Sequence, residues 1–149
     1  MDTSTQNPTP DDWNPSPEDT PFTRLGGAEA VRELTERFYD AMSDHEPELT
    51  RLHLCDEQGR VSRQSRDHFG LFLIGWLGGP QDYVAQRGHP RLRMRHGTFE
   101  VNLAMRDAWL RSMQRALDMM GVGGGLRRFL DERFAHVANF LRNVEESSA

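Results

Sequence analysis

Residues 88–99 read GHPRLRMRHGTF, with two histidines, His89 and His96, and three arginines at alternate positions, Arg91, Arg93 and Arg95. Pro90 suits the first turn of a short helix, where a backbone N–H is not needed. Such a helix places Leu92 and His96 one turn apart on a common face. An imidazole beside an apolar shelf can ligate a metal, and neighbouring guanidinium groups can pair with carboxylates or phosphates. A flat apolar ligand with a metal centre and an anionic rim would use all of these groups together, and haem is such a ligand. The competing reading is a histidine satisfied inside the core, the common fate of a lone histidine on an apolar helical face.

Other site chemistries fit less well. A structural zinc site wants four Cys or His ligands in paired spacings, and Cys55 stands alone while His45, His53, His68 and His136 form no HxxxH or HExxH. A nucleophilic Cys55 served by His53 lacks any protease-like order. GVGGG at 121–125 precedes a helical pattern, but without the strand before it or the Lys-Ser/Thr after it that a phosphate loop requires.

The elements that must position these residues read as helices. After Gly26 and Gly27 come Val31, Leu34, Phe38, Tyr39 and Met42, the stripe of an amphipathic helix with Tyr39 on its buried face. Periodicity fades over 43–61, which puts His53 and Cys55 in a loop or short turn. A second helix from about Ser62 carries Ser65, Phe69, Phe72, Leu73 and Trp76, and stops at Gly78, Gly79 and Pro80. A helix from about Asn102 carries Trp109, Met113, Ala116, Leu117 and Met120. The last carries Leu130, Phe134, Val137, Leu141 and Val144. No strand pattern is present, so the chain reads as all-α.

Composition narrows the class. A chain of 149 residues fits one domain around one core. Met1–Thr20, rich in Pro, Asp, Ser and Thr with Trp13 as its large apolar side chain, reads as a disordered N-terminal extension, leaving 21–149 as the domain. A formal net charge of -5 argues against nucleic-acid binding. All 18 basic residues are arginine, which discounts any single arginine as a signal. The lone cysteine, the lack of an apolar run of about 18 to 20 residues and the lack of a signal-peptide pattern predict a cytoplasmic protein away from membranes.

The motifs RLGG, RFYDAM, WLGGPQDY, QRGHPRLRMRHGTF and RDAWLRSM together resemble the group II truncated haemoglobins over about residues 21 to 145. The resemblance implies a two-over-two helical sandwich enclosing a b-type haem. It makes His96 the proximal iron ligand, and Tyr39 and Trp109 the distal pair. It places Phe69, Phe72 and Leu73 against the haem together with Tyr83 and Leu92, and turns Arg93, Arg95 and His68 toward the propionates. Two departures stand out. His53 falls where the family commonly has Phe or Tyr, and Ser65 falls at the usual distal-histidine position. His53 can join Tyr39 and Trp109 as a third donor or swing outward.

A phenol O–H and an indole N–H in an apolar pocket each need an acceptor, which oxygen held at the iron would supply. The resemblance thus implies tight oxygen binding and redox work such as nitric oxide dioxygenation or peroxide reduction, with an external reductase because the chain shows no flavin domain. The alternatives are a reversible oxygen carrier or gas sensor without turnover, and a helical interaction protein with no cofactor. A homodimer is left open.

Overall fold

The computed structural model describes residues 13–82 and 102–141. Its helices are α1 (Pro21–Leu25), α2 (Ala28–His45), α3 (Pro47–Thr50), α4 (Arg63–Trp76), α5 (Leu103–Met119) and α6 (Gly124–Leu141). Among the described residues there is no strand, and the extended pairings are the isolated bridges Ser16 with Asp19 and Cys55 with Val61. The all-α expectation holds. The short helix expected at Pro90 lies outside the described residues.

Local chemistry accounts for the helix ends. Thr20, Ser62 and Asn102 each accept a backbone N–H three residues on, from Thr23, Ser65 and Met105, which opens α1, α4 and α5. The two short helices escaped the sequence reading because they span only about a turn each. Their signal was a proline at the first helical position, Pro21 after Thr20 and Pro47 after Glu46. Helix α6 begins inside the glycine run, and Arg127 spans the α5–α6 turn by donating to Asp118 and Asp131.

Helix α2 buries the expected stripe of Val31, Leu34, Phe38, Tyr39 and Met42. It packs against both α4 and α5, and α5 packs against α6, so the pair α2 and α4 lies over the pair α5 and α6 in a two-over-two sandwich. Gly70 faces Thr35 where α4 packs on α2, and a Cβ there would make an ordinary contact with Thr35 Oγ1 at 3.5 Å. That hydroxyl is satisfied by the Val31 carbonyl at 3.0 Å.

Helix α4 presents two adjacent faces. Arg66, Gly70, Leu73 and Ile74 are buried, whereas Ser65, Phe69, Phe72 and Trp76 are only partly buried. At its end Phe22 donates its N–H to the Leu77 carbonyl at 2.8 Å. The contact requires glycine at both following positions. Gly78 holds φ +108°, and a Cβ on Gly79 would stand 2.7 Å from the Phe22 ring and 2.9 Å from the Ile74 carbonyl.

One expectation needs correction. Residues 13–20, read as part of the disordered extension, take a defined path onto the domain. Trp13 Nε1 donates to Asp19 Oδ2 at 2.8 Å, and its ring meets Phe129 edge to face at 5.8 Å. Arg24 donates to the same carboxylate at 2.9 Å and stacks over the indole, and the hydrogen bonds from Trp13 and then Arg24 hold the Asp19 carboxyl below the usual carboxylate range. Composition underrated the segment because a single aromatic anchor carries the docking. Met1–Asp12 lie outside the described residues.

Two stability outcomes follow. Trp13→Ala should lower the unfolding free energy by about 1 to 2 kcal/mol through lost ring contact and burial. Gly79→Ala should lower it by about 1 to 3 kcal/mol by forcing Phe22 off α4. Equilibrium urea unfolding followed by circular dichroism checks both, and a Trp13→Ala midpoint equal to the parent would return this segment to a passive role.

Candidate distal pocket

The side chains expected to do chemistry meet where α2, α4 and α5 converge. Tyr39, 6% exposed, projects from α2 beside Phe38, with ring centroids 4.8 Å apart. Phe69 of α4 approaches Phe38 at 5.4 Å and Tyr39 at 5.7 Å. Trp109 of α5 sets its edge against Phe38 at 5.3 Å, Phe69 at 6.4 Å and Phe134 at 5.8 Å. Phe72 continues the α4 face, nearly parallel to Phe69 at an interplanar angle of 19°, and Trp76 stacks on Phe134. Most of these rings carry no polar atom. Tyr39, Trp109 and Trp76 each bring one donor, the first two beside Phe69 and the third against Phe134.

Burial pushes the Tyr39 phenol above its ordinary range, with Arg66 opposing the shift. The group is therefore a neutral hydroxyl at any physiological pH, able to donate.

His53 reaches the same cluster through the loop after α3. Thr50 Oγ1 donates to the Met42 and Glu46 carbonyls, which folds α3 back on α2. Glu46 receives two hydrogen bonds from Arg111 of α5, at 2.8 and 2.9 Å, which hold its carboxyl below the usual range. Further along, Asp56 accepts the N–H groups of Gln58 and Arg60 and closes the turn that returns the chain to Val61. On this frame the His53 ring meets Tyr39 edge to face at 5.6 Å. Its Nδ1 lies 3.0 Å from the Leu49 carbonyl. A carbonyl only accepts, so Nδ1 carries the proton, and in the neutral ring Nε2 is an acceptor. The third-donor role considered for His53 therefore requires the protonated ring.

Tyr39, Trp109, His53, Phe69 and Phe72 are thus brought together. Leu73, one turn after Phe69 on α4, is 1% exposed. Ser65 is engaged in the cap, sharing a 3.2 Å hydroxyl contact with Ser62. His68 is partly buried one position before Phe69. The proximal set, His96 with Tyr83, Leu92, Arg93 and Arg95, lies outside the described residues. Among the described residues no group of three His, Cys, Asp or Glu side chains is placed to hold a metal ion, and no helix is long and apolar enough to cross a membrane.

Sequence reasoning missed Arg66, which lies against the back of Tyr39. A signal existed: Arg66 shares a helical face with Gly70, Leu73 and Leu77 at spacings of four, seven and eleven. The absence of lysine had discounted every arginine equally.

The half-buried rings of α4 fit a flat apolar group, and the donors of Tyr39 and Trp109 fit a small polar ligand beside it. Comparison with known proteins agrees with that geometry. Residues 20–143 match the bacterial-like globin family. The chain is 34% identical to a group 2 truncated haemoglobin of Bacillus subtilis over 121 residues, which is 81% of this chain and 87% of the relative. A group 2 truncated haemoglobin of Lotus japonicus is 30% identical over 125 residues, 83% of this chain and 73% of the relative. The crystal structure of the group II truncated haemoglobin of Bacillus anthracis superposes with a TM-score of 0.77 at 35% identity, over 85% of this chain and 98% of that one. The chain belongs to the bacterial-like globin family, among the group II truncated haemoglobins.

Proposed function

We propose that this chain holds a b-type haem through His96, keeps oxygen tightly with Tyr39 and Trp109, and uses it in nitric oxide or peroxide redox chemistry with electrons from an external reductase. Membership of the family implies haem-based gas binding. When bound, haem supplies an iron that takes up diatomic gases and exchanges electrons. The observation that carries the reading is the convergence of a phenol and an indole from two helices on one cluster of rings, their centroids 5.7 and 6.4 Å from that of Phe69.

The chain's own residues set the pocket's behaviour. Phe69 and Phe72 present a flat apolar wall and exclude water. Tyr39 and Trp109 donate from fixed positions, so little reorganisation is needed when a polar ligand arrives. Arg93, Arg95 and His68 are assigned to the carboxylate rim, and Leu92 and Tyr83 to the apolar border. A lone thiol at Cys55 fits a reducing cytoplasm.

Each donor should slow oxygen release by about 10-fold to 150-fold, from about 1.5 to 3 kcal/mol per hydrogen bond to a charged acceptor. Trp109→Phe keeps most of the ring volume and loses the N–H, so it should speed oxygen release in stopped-flow measurements by that factor. Tyr39→Phe should act in the same direction. Carbon monoxide gathers less negative charge and should respond much less. Equal acceleration of both gases would make Trp109 a gate instead of a donor, and fast release from the parent protein would favour a carrier or sensor over redox work.

His96→Gly should abolish stable haem retention, and added imidazole should restore the absorption spectrum. A proximal-histidine spectrum that persists in His96→Gly without imidazole would overturn the ligand assignment.

A further inference from the structure

Arg66 sits on the face of α4 turned toward α2, with its side chain 8% exposed. Its Nε donates to the Val61 carbonyl at 2.8 Å, and one terminal nitrogen donates to Glu36 Oε1 and Asp40 Oδ1, both at 2.9 Å. One anchor comes from the loop before α4 and two from successive turns of α2. The guanidinium carbon is thereby held 6.0 Å from the centroid of the Tyr39 ring, within the range of a cation–ring attraction.

Pairing alone does not account for this placement. Arg60 and Arg63 serve the same carboxylates from the surface, with side chains 38% and 63% exposed. Taking a further guanidinium out of water is costly, and a surface pair would avoid that cost. The charges around Tyr39 are also unequally screened. Glu36 and Asp40 are 35% and 48% exposed, so water weakens their fields at the ring more than it weakens that of Arg66. A net positive potential at the phenol withdraws charge from its oxygen and strengthens the O–H as a donor.

We propose that Arg66 is a positioning residue of the distal pocket: clamped by Val61, Glu36 and Asp40, it fixes the Tyr39 ring and biases its hydroxyl toward donating a hydrogen bond to the bound gas. The purpose of the device rests on the reading of Tyr39 as a distal donor, whereas the coupling of Arg66 to the phenol does not.

The test places 2,3,5-trifluorotyrosine at position 39 of the full chain, loaded with haem and saturated with carbon monoxide. The fluorines bring the phenol's ionisation down to a pH at which the protein stays folded, and fluorine NMR follows it. Arg66→Met should raise the ionisation pH by about 1 to 2 units. Arg66→Lys, which keeps the charge, should stay within about half a unit of the parent. A role in folding alone would lower the melting temperature of both variants and leave the titration in place. An unchanged titration in Arg66→Met, or an equal rise in both variants, overturns the proposal. Arg66→Gln, neutral and polar, replaces the methionine variant if that one does not fold. Oxygen release separates the two claims: should Tyr39→Phe leave it unchanged, the donor reading fails while the titration still decides the role of Arg66.

Discussion

The distal side depends on how closely α2 is held to α4. Tyr39 and Phe69 come from these two helices, and their rings meet at 5.7 Å across the interface where Gly70 faces Thr35. Arg66 then bridges the same interface from within, while Arg60, paired with Asp40 and Asp44, and Arg63, paired with Glu36, tie its outer edge. The outer pairs are worth little individually, about 0 to 1 kcal/mol each in exposed settings. Arg66 differs in kind, because a buried charge that loses its partners destabilises the protein far more than an exposed one. The interface is therefore specified at its centre by Arg66, and merely reinforced at its rim.

A second layer of constraint places the remaining polar tips. Helix α5 delivers Trp109, and it is joined to the start of α3 by the bidentate pair of Arg111 and Glu46. The same α3 carries Leu49, whose carbonyl orients the His53 ring. Three side chains of the pocket thus hang on three different helix junctions. The rings between them, Phe38, Phe69 and Phe134, form the medium through which those junctions stay in register. Removing water from such a cluster strengthens every hydrogen bond made inside it.

Much of this was legible before any coordinates. The stripes from Val31 to Met42 and from Trp109 to Leu117 have strong periods, so their helices and the placing of Tyr39 and Trp109 could be read directly. The resemblance carried by WLGGPQDY and QRGHPRLRMRHGTF supplied the family, and the ligand role it implies for His96 is a proposal. Two things escaped. Residues 13–20 depend on one tryptophan finding one phenylalanine far along the chain, which no local pattern encodes. The orientation of His53 depends on a carbonyl four residues earlier and so on the folding of α3.

On the proposed reading, Tyr39 and Trp109 present a positive field to a gas held beside Phe69. The most direct measurement is the infrared stretching band of carbon monoxide bound to the haem-loaded protein, compared with Tyr39→Phe, Trp109→Phe and the double variant. Donors pointing at the gas weaken its bond, so the parent should show a band at low frequency that moves upward with each substitution and furthest in the double variant. A parent band already at the position of the double variant would mean that neither side chain donates into the pocket, and the distal chemistry proposed for this chain would be wrong.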